Sequence, residues 1–416
     1  MVKFYIRTYG CAYNQADSEN IEFFLKSRGH VMVDGEKEAD VVVFNTCGVK
    51  DSTENRIVND IKNSGKKVVA TGCLAQARAK MISRLPNVYA VVGTFNNAKM
   101  LDAIEGAAGT WVGRGVNVPQ APDVSGMVST VQVSSGCLGN CTFCQTKLAR
   151  GNLKSFSESG LVGLVEGLVE KGCREVRLTS QDLGCYGFDF GDSSLPSLLE
   201  KIVEIEGDFK VRLGMMNPEH VIEIRKDLLK FLKNGKVYDF LHIPVQSGSD
   251  AVLEKMGRNY SVKDFRGLVG FLRRSSPDLT LETDVIVGFP TETEDDFQST
   301  LGLMGEVRFD IVNFSKFSSR KGTKASFMEQ LSRNEIKRRS VVGSRVYKRI
   351  SLEKNLEMVG RIEKVLVTEK ARGDFLGRTD SYKPVLVDGR LGERLLVEIK
   401  SAGQSHLRGV VKGVLL

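Results

Sequence analysis

The sequence predicts an α/β protein with an N-terminal doubly wound parallel sheet, a central partial (β/α)6 barrel and a small C-terminal all-β barrel. Two observations support this prediction. Strand-like and helix-like segments alternate over residues 1–100 and again over 129–320, and short strands with turns follow residue 361. Such alternation is typical of parallel sheets covered by helices. A chain of 416 residues is also longer than a usual single domain.

The first predicted domain covers residues 1–110. Its apolar, β-branched segments predict four strands, at residues 4–8, 41–45, 67–70 and 90–92. Amphipathic helices are expected over 17–28 and 52–63. Residues 104–125 are rich in Gly, Ala, Val and Pro without clear periodicity, which predicts a linker.

The second predicted domain covers residues 126–355 and the third covers 356–416. Six strands of the central barrel are expected at residues 129–134, 175–179, 210–215, 240–244, 281–287 and 311–317. Helices between them include 157–171, 195–206, 262–273 and 294–307, and a basic helix follows over 333–356. Four short strands are expected in the last domain, at 363–368, 384–387, 394–399 and 410–415.

Charge and composition restrict the class of protein. The net charge is +8, and residues 321–416 hold 21 Lys and Arg against 11 Asp and Glu. This asymmetry fits either a polyanion-binding module or a solvated basic surface. No run of about 18 apolar residues occurs and the first residues do not resemble a signal peptide, so we expect a cytoplasmic protein without a membrane partner. Eight cysteines in a reducing compartment indicate metal binding or chemistry rather than disulfides.

Three cysteines share one short loop after the first strand of the central barrel. Cys137, Cys141 and Cys144 have the spacing CxxxCxxC. Three thiolates can hold three irons of a cubane cluster and leave one iron open, and an open coordination site is typical of a reactive centre. A zinc site completed by a distant ligand is the alternative, although structural zinc usually takes CxxC pairs.

Three further cysteines are far apart in sequence. Cys11, Cys47 and Cys73 each follow a predicted strand. Because the carboxyl ends of parallel strands meet at one edge of a sheet, the three thiols are expected to converge. Their placement by chance in three βα loops is the alternative. Again three ligands would leave one iron open.

These motifs together resemble the methylthiotransferases of the radical S-adenosylmethionine superfamily. The resemblance covers nearly the whole chain and includes Gly377-Arg378-Thr379 in a C-terminal domain similar to the small RNA-binding TRAM domain. Other matching segments are TYGCAYNQADS at 8–18, NTCGV at 45–49, TGCLAQ at 71–76, GCLGNCTFC at 136–144, LHIPVQSGS at 241–249 and TDVIVGFP at 283–290. Segments 144–152, 178–182 and 212–218 are most similar to the archaeal and eukaryotic threonylcarbamoyladenosine branch. The chain end, which lacks a hydrophobic anchor, favours the archaeal form.

The resemblance implies two 4Fe-4S clusters and S-adenosylmethionine as cofactors. The Cys137/Cys141/Cys144 cluster would cleave S-adenosylmethionine to a 5′-deoxyadenosyl radical, and the Cys11/Cys47/Cys73 cluster would carry the inserted sulfur. Candidate cofactor contacts are Phe143, Gln181, Asp182, Gln246, Ser247 and Asp284. For Asp182 a helix N-cap is an equal alternative, and His242 is expected to be a core histidine rather than a ligand.

The implied reaction inserts a methylthio group at C2 of N6-threonylcarbamoyladenosine beside the anticodon and consumes two S-adenosylmethionine molecules. Implied partners are a tRNA anticodon stem-loop, a sulfur donor, and an electron-donor protein of the flavodoxin or ferredoxin type. Isopentenyladenosine and a ribosomal-protein aspartate are alternative substrates within the family. A zinc-stabilised RNA-binding protein without catalysis is the alternative outside it.

Overall fold

A sheet of six parallel strands opens the computed structural model, which describes residues 1–48, 51–113, 126–191, 194–371 and 373–415. The strand order is β2-β1-β3-β4-β5-β6. These strands are β1 Lys3–Thr8, β2 Val31–Met32, β3 Val41–Thr46, β4 Lys67–Thr71, β5 Val88–Val92 and β6 Gly109–Trp111. The helices are α1 Ala12–Lys26, α2 Asp51–Asn63, α3 Gly72–Ala77, α4 Ala79–Ile82 and α5 Asn97–Ile104. Separate apolar cores on the two faces, one with α2 and α3 and one with α1 and α5, confirm a doubly wound domain.

Strand β6 lies inside the segment that the sequence predicts to be a linker, so that prediction is wrong for residues 109–111. The strand pairs with β5, and the Gly93 amide donates to the Trp111 carbonyl at 2.7 Å. It is only three residues long and half-buried at the sheet edge, so no alternation of apolar and polar residues marks it. Residues 114–125 of the predicted linker lie outside the described residues.

The central domain is an open barrel in which six parallel strands follow one another in chain order. Two three-stranded sheets, β7-β10-β11 and β12-β13-β14, are joined by a parallel bridge between Met215 and His242. The six barrel strands are β7 Val128–Gln132, β10 Glu175–Thr179, β11 Lys210–Leu213, β12 Phe240–His242, β13 Thr280–Val287 and β14 Ile311–Lys316. Two short strands, β8 Ser134–Ser135 and β9 Lys154–Ser155, form a separate antiparallel pair. The helices are α6 Gln145–Arg150, α7 Glu158–Glu170, α8 Leu195–Glu204, α9 Pro218–Leu232, α10 Asp250–Met256, α11 Val262–Ser275, α12 Glu294–Val307 and α13 Arg333–Leu356. The predicted partial (β/α)6 architecture is confirmed.

The C-terminal domain is a closed barrel of five strands ordered β15-β16-β17-β19-β18. These are β15 Ile362–Lys370, β16 Phe375–Thr379, β17 Pro384–Val387, β18 Arg394–Ala402 and β19 Leu407–Leu415. The sequence predicts four strands and misses β16. Gly377 interrupts that strand because a Cβ there would lie 2.3 Å from Cγ1 of Val365, and glycine weakens a strand pattern.

The two outer domains contact different parts of the central barrel. The C-terminal barrel packs against the amino ends of its strands, where Lys383 Nζ lies 2.7 Å from Asp310 and Tyr382 donates to Glu175 at 3.1 Å. The N-terminal domain covers β7, and Gln132 Nε2 donates to Asp17 at 2.7 Å. The carboxyl ends of the central strands therefore stay on the side of the N-terminal domain. Among the described residues no helix is long and apolar enough to cross a membrane.

Candidate metal centres

The three dispersed cysteines lie at the carboxyl ends of three adjacent strands. Cys11 follows β1, Cys47 follows β3 and Cys73 follows β4, and these strands are neighbours in the order β1-β3-β4. Cys11 is exposed, whereas Cys47 and Cys73 are buried. The structure thus brings together the three thiols that the sequence predicts to converge, with one of them open to solvent.

Two glycines allow the three cysteine loops to approach one another. A Cβ on Gly10, beside Cys11, would lie 2.9 Å from the Cys47 sulfur, and one on Gly72, beside Cys73, would lie 2.4 Å from the Thr46 carbonyl oxygen. Both glycines also have positive φ, at +110° and +90°, which other residues rarely adopt. Any side chain at these positions would push the loops apart.

The side-chain amide of Asn14 contacts all three cysteine loops. Its Nδ2 donates to the Tyr9 carbonyl at 2.9 Å and to the Thr46 carbonyl at 3.0 Å, while its Oδ1 lies 3.7 Å from the Cys73 sulfur. Asn14 is 1% exposed, so its hydrogen bonds are sheltered from water. Its role depends on contacts between elements distant in sequence, which gave no signal in the sequence pattern.

The CxxxCxxC loop leaves the central barrel at Gly136 and ends in helix α6. Gly136 has φ +78°, and a Cβ there would lie 1.9 Å from the Asn152 carbonyl oxygen. The Gly139 amide donates to the Cys137 sulfur at 3.3 Å. Cys144 is the N-cap of α6, where the free amides of a helix N-terminus favour a thiolate.

Residues between the last two cysteines hold this loop against other elements. The Thr142 amide donates to the Met256 carbonyl at 2.9 Å, and the Thr142 carbonyl accepts from the Ala325 amide at 2.9 Å. Phe143 packs edge-on against Phe289, with ring centroids 6.3 Å apart. Phe143 therefore anchors the loop in a small apolar cluster, and direct contact with a cofactor stays a prediction.

Burial raises the pKa of several cysteine thiols in both sets. Burial raises the pKa of Cys137 to about 12, and Asp182, Cys144 and Cys141 add to the effect. Burial also raises the pKa of Cys73, partly offset by the Arg150 guanidinium. Such thiols stay protonated at neutral pH unless a cation holds the thiolate, so metal binding would displace their protons.

Within the described chain, one group of side chains outside the two cysteine triads is spaced closely enough to share a metal ion. Across the described chain, three or more His, Cys, Asp or Glu ligand atoms lie within 4.8 Å of one another only at Asp182, Cys185 and His220. Zinc lies about 2.3 Å from each thiolate, so sulfurs sharing one ion are less than about 4.6 Å apart. A 4Fe-4S cluster differs from zinc in that each cysteine holds a different iron.

Asp182 is a fully buried hydrogen-bond acceptor in the structure. Its carboxylate accepts from the Gly184 amide at 3.2 Å, the Asn217 amide at 3.0 Å and the Asn217 side chain at 2.5 Å, and lies 2.8 Å from Nδ1 of His220. It caps the short 3-10 turn Leu183–Cys185, as the N-cap alternative expects. Because its acceptor sites are occupied, a role in holding S-adenosylmethionine has no support in these contacts.

Two other predicted cofactor contacts are also used inside the protein. Gln181 Oε1 accepts from the Gly136 amide at 2.6 Å and so supports the cysteine loop. Ser247 is fully buried; its Oγ accepts from the Ser249 amide at 3.2 Å and lies 3.4 Å from the Thr300 hydroxyl. For both residues a direct contact with S-adenosylmethionine stays a prediction.

Gln246 differs from these residues because it keeps a buried acceptor without a partner. Its Oε1 has no hydrogen-bond partner among the described residues, and its backbone has φ +66°. Asp284 is partly open and its Oδ1 lies 3.2 Å from His242 Nε2 and 2.9 Å from Asn313 Nδ2. Since a buried unpaired carbonyl oxygen is costly, Gln246 fits an absent donor such as the amino group of S-adenosylmethionine.

Two arginines, buried Arg150 and half-buried Arg258, contact cysteine sulfurs, and sequence reasoning missed both. Arg150 Nε donates to the Cys73 sulfur at 3.3 Å, and Arg258 Nη1 donates to the Cys141 sulfur at 3.0 Å. Each lies far from its cysteine in sequence, so no local motif predicts the contact.

Comparisons with known proteins agree with this architecture. The Radical SAM superfamily model matches residues 131–304, the TRAM domain model matches 356–412, and the model of the uncharacterized protein family UPF0004 matches 3–93. Among solved structures, the radical S-adenosylmethionine methyltransferase TsrM from Kitasatospora setae has a TM-score of 0.57 at 13% identity, over 78% of this chain and 76% of its own. The cobalamin-dependent enzyme OxsB has a TM-score of 0.55 at 11% identity, over 84% of this chain and 56% of its own. These likenesses show the fold.

The fold and the CxxxCxxC loop define a radical S-adenosylmethionine enzyme with an iron–sulfur cluster. The probable threonylcarbamoyladenosine tRNA methylthiotransferase of Pyrococcus horikoshii is 39% identical over 99% of this chain and 100% of its own length. The human threonylcarbamoyladenosine tRNA methylthiotransferase is 34% identical over 98% of this chain and 73% of its own length. The chain belongs to the radical S-adenosylmethionine methylthiotransferase family and is a transferase, as the resemblance predicted.

Proposed function

We propose that this chain is a tRNA methylthiotransferase that inserts a methylthio group at C2 of N6-threonylcarbamoyladenosine next to the anticodon. The observation that carries the proposal is the pair of cysteine triads, one at the carboxyl ends of three parallel strands and one on a single loop of the central barrel, in a chain whose relatives are named for this reaction. The proposed chemistry uses two S-adenosylmethionine molecules and two 4Fe-4S clusters. A 4Fe-4S cluster on each triad has three cysteine ligands and one open iron.

The central barrel, residues 126–355, would bind S-adenosylmethionine. A bound cluster on Cys137, Cys141 and Cys144 would supply the electron that opens the sulfonium. Residues of this chain then have positioning roles: Gln246 offers its free carbonyl oxygen, and Phe143 fixes the loop. Phe143, Gln181, Asp182, Ser247 and Asp284 are also proposed as direct contacts, although all five already have partners inside the protein.

The N-terminal domain, residues 1–110, would hold the cluster that carries sulfur. Cys11 is the exposed member of its triad, so a cluster held by these three cysteines would be reached by solvent and sulfur donor from the side of Cys11. Helix α6 joins this domain to the radical loop, because it begins after Cys144 and packs against α3, which carries Cys73. Such closeness is what transfer of a methylthio group to a substrate radical needs.

The basic C-terminal part, with the domain at 356–416, would bind the tRNA anticodon stem-loop. Not every cation of α13 is available for this, because Arg339 is buried and forms ion pairs with Glu292 and Glu335. The cations that are exposed and form no ion pair within the described chain are Arg333, Lys337, Arg345 and Lys348 on α13, and Lys364, Lys370 and Arg390 on the C-terminal barrel. Neutralising several phosphates with such residues makes binding strongly dependent on salt.

The deciding experiment is nucleoside mass analysis of tRNA after an anaerobic reaction with S-adenosylmethionine and a reductant. We expect threonylcarbamoyladenosine to be converted to its methylthio derivative, and about eight irons per reconstituted chain. If threonylcarbamoyladenosine stays unchanged and isopentenyladenosine gains the methylthio group, the substrate is isopentenyladenosine. If a ribosomal-protein aspartate is modified instead, the substrate is that protein. One zinc and no iron would contradict the reaction as a whole and favour an RNA-binding protein.

Partners beyond tRNA are part of the same proposal. Reduction of the radical cluster needs an electron-donor protein of the flavodoxin or ferredoxin type, and repeated turnover needs a sulfur donor. A cytoplasmic location follows from both, since these donors and tRNA are available there. In a multiple-turnover assay, omission of the electron donor should stop the reaction before S-adenosylmethionine cleavage. Omission of the sulfur donor should stop it after the first product.

A further inference from the structure

A buried cation is in direct contact with the cysteine triad of the N-terminal domain. Arg150 Nε donates to the Cys73 sulfur at 3.3 Å, and its side chain is 2% exposed. An ion pair with Asp17 and the Tyr13 ring, 4.6 Å from the guanidinium carbon, enclose it. Asn14 Oδ1 lies 3.5 Å from its Nη2. The guanidinium therefore cannot turn out to solvent and stays against the sulfur.

Arg150 comes from the other cysteine site. It is the last residue of helix α6, whose N-cap is Cys144. Thr94 of the N-terminal domain donates to the Ala149 carbonyl at 3.2 Å and fixes the end of this helix. A helix of six residues thus connects a ligand of one triad to a hydrogen bond on a ligand of the other.

The radical loop has its own arginine with a matching contact. Arg258 Nη1 donates to the Cys141 sulfur at 3.0 Å, and its Nη2 donates to Asn217 Oδ1 at 2.6 Å. The ring of Tyr260 lies 5.2 Å from its guanidinium carbon. Each triad therefore has one arginine on one of its three sulfurs, fully buried at Cys73 and half-buried at Cys141.

Hydrogen bonds and positive charge at a ligand sulfur stabilise the cluster state that carries the additional electron. In a buried site this effect is little screened by salt. We infer that Arg150 is a positioning residue that raises the reduction potential of the N-terminal cluster through Cys73, and that Arg258 does so independently for the radical cluster through Cys141. The inference rests on the proposed function, because it assumes a cluster on each triad.

The test uses the full chain with one cluster at a time. Replacing Cys137, Cys141 and Cys144 by Ala leaves only the N-terminal cluster, and replacing Cys11, Cys47 and Cys73 by Ala leaves only the radical cluster. Midpoint potentials are then measured by redox titration followed by electron paramagnetic resonance. In the first background Arg150→Met should lower the reduced-to-oxidised ratio about tenfold at a fixed potential, a shift of about 59 mV for one electron.

Arg258→Met is the matched control, since it should lower the midpoint potential only in the protein that keeps the radical cluster. Asp17→Asn should act in the opposite direction to Arg150→Met, because it removes the carboxylate that neutralises the guanidinium. An unchanged or higher potential in Arg150→Met would overturn the inference, as would equal shifts of both clusters by both arginine variants. If the Arg150→Met protein does not load iron, the midpoint potential of the Asp17→Asn protein decides. A potential that is unchanged or lower than in the Asp17 protein counts against the inference.

Failure of the proposed function gives a different result. In that case the first background, with Arg150 intact, would hold no iron–sulfur cluster at all. A cluster that is present but insensitive to Arg150 and Asp17 would contradict only the inference.

Discussion

The two cysteine triads are built in opposite ways. Cys137, Cys141 and Cys144 come from one loop, and their geometry depends on how that loop is anchored at Gly136 and Thr142. The other triad depends on strand register, in which Thr8 pairs with Asn45 and Asn45 pairs with Thr71. A local motif can be recognised from spacing, whereas a dispersed motif exists only once the sheet has formed.

This difference implies that each site can be broken without the other. The loop triad is sensitive to its turn and to the few hydrogen bonds that hold it. The dispersed triad is sensitive to the pairing of three central strands and to Asn14, which links their loops. One hydrogen bond among the described residues links the two sites: Arg150, at the end of helix α6, donates to the sulfur of Cys73 in the dispersed triad.

The largest expected effect separates the two sites by their chemistry. Cys141→Ser should abolish reductive cleavage of S-adenosylmethionine, because the radical cluster loses one of three ligands. Cys47→Ser should leave this cleavage intact and abolish methylthio transfer. The measurements are 5′-deoxyadenosine formation under dithionite and nucleoside mass analysis.

Cys173→Ser is a control for cysteine loss as such, because Cys173 is buried away from both triads, where its sulfur lies 3.2 Å from the Glu175 carbonyl. It should keep both activities. Loss of 5′-deoxyadenosine formation in Cys47→Ser would contradict the independence of the two sites.

The next effect tests how far the loop triad depends on its turn. Gly136→Ala would put a methyl group 1.9 Å from the Asn152 carbonyl oxygen at a positive φ, so we expect a cost of about 3 kcal/mol or more and loss of the radical cluster. Gly151→Ala is the matched variant: its φ is +72°, but a Cβ there meets nothing within 4 Å. It should cost about 1–3 kcal/mol of strain alone, because φ +72° with ψ −152° is a conformation that residues other than glycine rarely adopt.

Iron content and thermal unfolding of the two glycine variants provide the measurement. In Gly136→Ala the N-terminal cluster should remain, so about half of the iron should be lost. Equal iron loading in Gly136→Ala and Gly151→Ala would show that the close approach to Asn152 does not matter.

Much of this architecture could be predicted from the sequence because its signals are local. The helix at 333–356 was predicted at its observed bounds, and β1, β3 and β4 within one or two residues. The edge strand β6 was missed because three half-buried residues carry no periodicity, and β16 because Gly377 interrupts it. Periodicity reports burial on one face and is weakest where strands are short or lie at an edge.

The site residues divide in the same way. Cysteines could be predicted because their type and position after strands are visible in sequence. The arginines on their sulfurs could not, since Arg150 and Cys73 are 77 residues apart and Arg258 and Cys141 are 117 apart. Buried polar contacts between distant elements depend on packing, which a pattern of residue types does not encode.

A smaller effect concerns binding at the radical site. Gln246→Asn keeps a residue that tolerates positive φ but withdraws the unpaired carbonyl oxygen by one methylene. Losing one hydrogen bond to a charged group should weaken S-adenosylmethionine binding about tenfold. Equilibrium binding to the cluster-loaded protein measures this. Equal affinities of wild type and Gln246→Asn would exclude Gln246 as a contact.

The smallest effect lies at the contact between the N-terminal domain and the central barrel, where α1 packs on β7. Burial raises the pKa of Glu19 from 4.5 to about 7, and its Oε2 has no hydrogen-bond partner among the described residues. The folded state therefore binds this proton more tightly than the unfolded state, and stability falls as pH rises from 4.5 to 7. Glu19→Gln should raise the free energy of unfolding by about 1–2 kcal/mol above pH 7 and by nothing below pH 4.5. Unfolding curves across this range, with Glu22→Gln as a control beside Lys26, measure the change. Parallel pH profiles for wild type and Glu19→Gln would mean that water reaches Glu19, and that the contact between α1 and β7 is hydrated at this residue.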